Sequence, residues 1–77
     1  MNKIRRKNID TLIERLEELR SDAELILDEE QEAFDNLPES LQEAERGELM
    51  QESIDALEEA ISSLEEAIEN LETAKGE

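Results

Sequence analysis

Carboxylates are the most abundant groups in this chain that could do chemistry. The 77 residues include 24 Asp or Glu against 8 Lys or Arg, which gives a formal net charge of −16. The acidic run from Asp28 to Asp35 offers the oxygen ligands that Ca²⁺ and Mg²⁺ prefer. It lies in a helical pattern that spreads its side chains outward, and it lacks the glycine and the spacing of an EF-hand loop. We therefore predict no metal site and no cofactor.

Enzymatic catalysis lacks its usual groups here. The chain has no Cys, His, Tyr or Trp, so its serines have no histidine to activate them. Glycine occurs only at Gly47 and Gly76, which excludes a glycine-rich phosphate loop. The sequence predicts a protein that is not an enzyme and has no catalytic residues.

Basic side chains gather near the start of the chain, at Arg5, Arg6 and Lys7. Residues 1–20 have a net charge of +2 and residues 21–77 have −18. The cluster is a candidate anion site if copies in an oligomer converge on a phosphate. The alternative role is salt bridging, with Glu69 and Glu72 near the end of a second helix. Aromatic stacking partners are lacking, so we predict no direct binding of nucleic acid.

Glutamates in the second half form a candidate partner surface. Glu65 and Glu69 are four residues apart, which on a helix places their Cβ atoms about 5–6 Å apart, close to the spacing of consecutive phosphates. Such rows attract basic protein surfaces and repel nucleic acid and anionic membranes. The candidate residues are Glu58, Glu65, Glu69 and Glu72. The alternative is that these side chains only solvate a coiled coil.

Three heptads over residues 54–74 position these glutamates. Each repeats Ile-x-x-Leu-x-x-Ala, and the alternating spacing of three and four puts Ile and Leu on one helical stripe. The first half has a broader apolar face, interrupted by Glu30, with Phe34 filling the end of the bundle. The predicted core and oligomer contacts are Ile9, Leu12, Leu16, Leu19, Ile26, Phe34, Ile54, Leu57, Ile61, Leu64, Ile68 and Leu71.

These elements predict one all-α domain over residues 1–77, an antiparallel helical hairpin. We expect a long helix over 3–35, a turn with a short helix over 38–45, and a long helix over 48–75. Pro38 stops the first helix, and Ser40 with Glu43 resembles a capping box. Gly47 either ends the short helix or is a soft spot within a longer one. The apolar faces exceed what two helices can cover, so we predict a homodimer or larger oligomer, forming a four-helix bundle.

No stretch of the chain is apolar enough to span a membrane, since its longest apolar run is the three residues 25–27. We therefore expect no membrane partner. The lack of cysteine fits a cytoplasmic protein.

Residues 22–74 resemble small acidic helical proteins encoded by bacteriophages and prophages of Gram-positive bacteria. The resemblance is carried by the stretch from Asp28 to Gln42, by Glu45-Arg-Gly-Glu48 and by the heptads. It implies a phage-encoded protein that acts in the host cytoplasm and antagonises a host defence or nucleic-acid-handling protein. No functional residue is carried over from it.

Three functions compete. The first is an inhibitor that binds a basic host protein through its acidic surface, by nucleic-acid mimicry. The second is a structural or adaptor coiled coil without mimicry. The third is a nucleotide or anion sponge that uses the basic N-terminus of an oligomer.

Overall fold

The computed structural model describes residues 1–76 and shows an all-helical hairpin. Helix α1 (Lys3–Asp35) and helix α3 (Glu45–Lys75) are joined by the short helix α2 (Glu39–Gln42). The hairpin is extended, at 58 × 15 × 12 Å, and residues 1–76 contain no strand. The predicted hairpin of two long helices with a short helix at the turn is confirmed.

Local signals set both ends of α1. Asn2 caps its start, where the side-chain Oδ1 accepts a hydrogen bond from the Arg5 N–H at 2.8 Å. Near its end the Leu37 N–H donates to the Phe34 carbonyl at 3.1 Å, just before Pro38. Its first turn has no acidic residue and its last turn no basic one, contrary to what the helix dipole favours. Packing must therefore supply most of the stability of α1.

The turn differs from the predicted one. Helix α2 has only four residues, and α3 begins at Glu45, three residues earlier than expected. Ser40 lies inside α2, whose N-cap is Pro38 with no side-chain hydrogen bond, so the predicted capping box was wrong. The Gln42 side chain instead donates from Nε2 to the carbonyls of Phe34 and Leu37, both at 3.1 Å. It satisfies groups that the end of α1 leaves open.

Gly47 allows the chain to cross itself at this turn. It is buried in the first turn of α3, and a Cβ built on it would stand 2.0 Å from the Gln42 carbonyl oxygen. The carbonyl carbon of Gln42 would lie at 2.5 Å. A side chain at this position has no room, so glycine is required by the close approach of two backbones. Gly47 neither ends α2 nor interrupts α3.

The heptad isoleucines of α3 form the core. Ile54, Ile61 and Ile68 are buried, with Ile54 at 0% exposure, and Ile13 is their buried counterpart on α1. Burying one such side chain contributes about 1.5–3 kcal/mol. The leucines of the same heptads, Leu57, Leu64 and Leu71, are half-buried. The stripe predicted from residues 54–74 faces α1.

The face that α1 turns toward α3 lies to one side of the predicted stripe. With the buried Ile13, its half-buried residues from Ile9 to Phe34 follow alternating steps of four and three, with Gln31 beside them, and two of them are charged. The half-buried residues are Ile9, Leu16, Arg20, Ala23, Leu27, Glu30, Gln31 and Phe34. Leu12, Leu19 and Ile26, predicted as core or oligomer contacts, are exposed within the single chain. Their role as contacts between chains stays a prediction.

Candidate binding surfaces

The register of the hairpin is marked by one ion pair between the helices. Lys75 Nζ donates to Asp10 Oδ1 at 2.6 Å, near the open end and far from the turn. Because α1 and α3 run antiparallel, residues whose numbers sum to about 85 lie at the same level. The heptads of both helices can then be placed side by side, and they give the hairpin two chemically different flanks.

One side of the hairpin carries carboxylates from both helices. In an antiparallel pair, the residue that follows a core position on one helix lies beside its equivalent on the other helix. On this side those residues are spaced by seven along each helix, and all are exposed. We call them the acidic flank: Asp10, Glu17 and Glu24 of α1 with Glu58, Glu65 and Glu72 of α3.

The carboxylates of the acidic flank interleave along the hairpin. By the register, Glu17 lies at a level between Glu72 and Glu65, and Glu24 at a level between Glu65 and Glu58. Successive carboxylates alternate between the helices, with an average axial step of about 3.5 residues, or about 5 Å. The five carboxylates from the level of Glu72 to that of Glu58 span about 21 Å by the same rise per residue. Glu69, the fourth predicted acidic residue, is exposed beside this row.

Two cations contact this flank. Arg20 Nε lies 3.6 Å from Glu24 Oε1, and Lys75 holds Asp10. The hydrogen bond to Asp10 raises the pKa of Lys75 above its ordinary value of 10.5; desolvation opposes the rise, and the charges of Asp10 and Glu72 assist it. The other four carboxylates of the flank have no ion pair within residues 1–76. Most of its negative charge is therefore open to a partner.

The sequence prediction found only half of this flank. Glu58, Glu65 and Glu72 were predicted, and the structure brings them together on one side of α3. Asp10, Glu17 and Glu24 on α1 were missed. The signal was present, because these three also recur every seven residues. The shared flank can be recognised only when the antiparallel register of the two helices is known.

The basic cluster lies on an overhang at the open end. Asp10 is level with Lys75, the last residue of α3, so Arg5, Arg6 and Lys7 extend about 5–8 Å beyond α3. The predicted pairing of this cluster with Glu69 and Glu72 is not formed: within residues 1–76 the ion pair between the helices is Lys75 with Asp10. The polarity is reversed from the expected one, because the cation comes from α3.

The side opposite the acidic flank is apolar. On α1 it presents the exposed Leu12, Leu19 and Ile26, whose exposed fractions are 45%, 53% and 53%. On α3 it presents alanines at the same seven-residue spacing, of which Ala67 is half-buried and the others exposed. We call this set the apolar flank: Leu12, Leu19, Ile26, Ala60, Ala67 and Ala74.

Two further surface properties bear on the sequence predictions. Over residues 1–76, no three acidic side chains converge where a metal ion could be held, and the run from Asp28 to Asp35 continues α1 into its last turn. None of the described helices combines the length and apolarity needed to cross a membrane.

Comparison with known proteins gives no relative for this chain. No protein-family model, curated protein or solved structure matches it. The resemblance to phage proteins stays a prediction that rests on the residues quoted for it. The three surfaces of the hairpin are therefore the basis for a functional proposal.

Proposed function

We propose that this chain is a non-enzymatic binding protein that acts through its acidic flank on a basic, nucleic-acid-handling protein. The supporting feature is the interleaved row of Glu72, Glu17, Glu65, Glu24 and Glu58, whose average step along the hairpin axis is about 5 Å. A single helix would present one acidic side chain per heptad on this side, about 10 Å apart. Measured along the axis, the hairpin halves that interval.

Charge density supports nucleic-acid mimicry. Leaving out Glu77, residues 1–76 have a formal net charge of −15 over a length of 58 Å, about one negative charge per 4 Å. One strand of B-DNA has one phosphate per roughly 3.4 Å of helix axis. A protein groove lined with Lys and Arg for a phosphate strand would meet, on the acidic flank alone, one carboxylate per about 5 Å of the hairpin axis.

We also propose a phage origin and a host target for this chain. The resemblance over residues 22–74 supports a phage-encoded protein that acts in the host cytoplasm and inhibits a host protein. Self-association into a four-helix bundle is also part of it, because a single hairpin leaves large apolar side chains exposed on both long helices.

A matched pair of triple variants tests the acidic flank. Glu58, Glu65 and Glu72 are changed to Lys in one variant. The control changes Glu52, Glu59 and Glu66, which have the same spacing on the same helix but point away from α1. Both variants alter net charge equally. If the partner binds the acidic flank, the variant at Glu58, Glu65 and Glu72 should lose affinity by at least about tenfold, which is 1.4 kcal/mol. The control variant should keep its affinity.

The assay captures partners from a Gram-positive bacterial lysate on the immobilised chain, at about 0.1 M and about 1 M salt. We expect a basic protein that is released by the higher salt and by added duplex DNA. Its affinity is then measured for both triple variants. Equal losses of affinity in the two triple variants would mean that binding depends on net charge and not on the acidic flank. Binding that survives molar salt and ignores nucleic acid would refute mimicry and favour an adaptor that contacts partners through Phe34, Leu37 and Pro38.

The anion sponge has one observation in its favour. Arg5, Arg6 and Lys7 lie beyond α3 and form no ion pair within residues 1–76. If two copies bring these clusters together, they would bind phosphate groups. Calorimetric titration with a nucleoside triphosphate tests this, with an Arg5→Gln, Arg6→Gln variant as the control. Absence of binding to the natural sequence would dismiss the sponge.

A further inference from the structure

We infer that the apolar flank is covered by a second copy of this chain, in a two-fold dimer whose two turns lie at the same end. This dimer rests on the self-association proposed above and adds its surface and its symmetry. The deciding observation is how size is distributed across the apolar flank. Its three large side chains are all on α1 and its three alanines are all on α3.

A second copy is the occupant that charge favours. The apolar flank and the row beside it on α3, formed by Ala56, Ser63 and Asn70, carry no charge, while residues 1–76 have a net charge of −15. A second copy presents the same apolar flank, which Arg15, Asp22 and Glu29 border on α1, and keeps both acidic flanks on the outside, away from each other. A contact through the acidic flanks would instead bring the carboxylates of two copies together.

The available area is sufficient for such a dimer. From Leu12 to Ile26 the flank is about 21 Å long by the helical rise, and the exposed, uncharged Ala33 and Ser53 continue this side to about 32 Å; the hairpin is 15 Å wide. These dimensions give about 500 Å² per copy and about 1,000 Å² in total, which is at the lower limit of a specific interface. The hairpin alone fully covers none of Leu12, Leu19 and Ile26.

Side-chain size decides between the two symmetric arrangements. With both turns at one end, α1 lies on the partner's α3, and the levels match Leu12 with the partner's Ala74, Leu19 with its Ala67 and Ile26 with its Ala60. Each large side chain then faces a small one, which allows even packing. With turns at opposite ends, α1 would lie on α1 and α3 on α3. Leucine would then meet leucine and alanine would meet alanine, so one pair of helices would be held apart and the other drawn together.

A spin label at the turn distinguishes these arrangements. The chain has no cysteine, so Ser40→Cys places one label on an exposed position in each copy. With both turns at one end, the two labels are separated by about two helix diameters, roughly 20–25 Å. Turns at opposite ends of a hairpin 58 Å long would separate them by close to that length. A short distance supports the inference, and a long one overturns it.

Two exposed leucines of α1 give a matched test of the surface. Leu19 belongs to the apolar flank, whereas Leu25, exposed at 62%, lies on the outer side of the helix. Leu19→Glu should weaken dimerisation at least tenfold in sedimentation or light scattering, and Leu25→Glu should leave it unchanged. Equal effects, or a stable Leu19→Glu dimer, would overturn the assigned surface.

The outcomes also separate this dimer from the rest of the proposal. A natural chain that is monomeric at micromolar concentration would overturn both the dimer and the proposed self-association. The acidic flank would still be judged by its own competition with DNA. A dimer with distant turns would overturn only the symmetry assigned here.

Discussion

Replacing Gly47 by alanine should destabilise this protein, although the same change normally stabilises a helix. In a helix interior, alanine is favoured over glycine by about 1 kcal/mol. Gly47 lies in the first turn of α3, so helix propensity alone predicts a gain. The structure predicts a loss, because a Cβ at this position would stand 2.0 Å from the Gln42 carbonyl oxygen and 2.6 Å from Gln42 Cα.

The loss of folding stability can be estimated from the backbone shift that Gly47→Ala requires. The colliding atoms belong to the backbone, so relief requires Gln42 to shift by more than 1 Å relative to α3. Such a shift would break the hydrogen bonds from the Gln42 side chain to Phe34 and Leu37, which together contribute about 1–3 kcal/mol. Strain from overpacking adds about 1–3 kcal/mol. After subtracting the propensity gain, the net loss is about 1–5 kcal/mol.

Urea and thermal unfolding followed by circular dichroism measure this directly. A loss of 1 kcal/mol lowers the melting temperature of a domain this size by about 4–8 °C. Gly76→Ala is the matched control, because the nearest atom to its Cβ would be the Thr73 carbonyl oxygen at 3.4 Å, an ordinary contact. If Gly47→Ala proved as stable as the natural chain, the close crossing at the turn would be refuted.

Three further predictions concern the core and the charges. Ile61→Asp should cost several kcal/mol in urea unfolding, because it buries an unpaired charge, while Ser62→Asp on the exposed side should cost little; equal effects would refute the assigned core face. The raised pKa of Lys75 means that the folded state holds this proton more tightly, so its stabilisation is complete below pH 10.5 and is lost as pH rises through the raised pKa. Unfolding between about pH 9 and about pH 11.5 should show this loss in the natural chain and less of it in Asp10→Asn. Raising NaCl from about 0.05 M to about 0.5 M should raise the melting temperature by screening like charges, and a fall would show that ion pairs outweigh repulsion.

The ends of α1 and the face of α3 were predictable because their signals are local. Helix α1 occupies the predicted residues 3–35, where an Asn stands before the first turn and Pro38 follows the last. Three matching heptads defined the buried side of α3, and Ile54, Ile61 and Ile68 are indeed buried. Each of these features depends on residues within two or three turns of one another.

The orientation of α1 was not predictable in this way. Apolar residues occupy two adjacent rows on this helix, one through Ile13 and Leu27 and another through Leu12, Leu19 and Ile26. The row that faces α3 also includes Arg20 and Glu30, which a sequence pattern places on the surface. Hydropathy cannot show which of the two rows is buried. The packing of α1 against α3 decides it. The same limit applies to Gly47, whose crossing partner is recognisable only in three dimensions.

The charges of α1 connect the proposed dimer with the acidic flank. Basic residues at its start and acidic ones in its last turn run against its own dipole, at about 0.3–1 kcal/mol for each side chain. In the hairpin, the basic start lies just beyond the C-terminal end of α3, whose dipole favours cations. With both turns at one end, the two basic starts would share that environment at the other end. The resulting rod would have two acidic sides, one basic end and one turn end, so a basic partner would be attracted to its sides and repelled from the basic end. An arrangement with turns at opposite ends would lack this polarity. The symmetry of the dimer therefore determines whether the acidic flank can orient its partner as well as attract it.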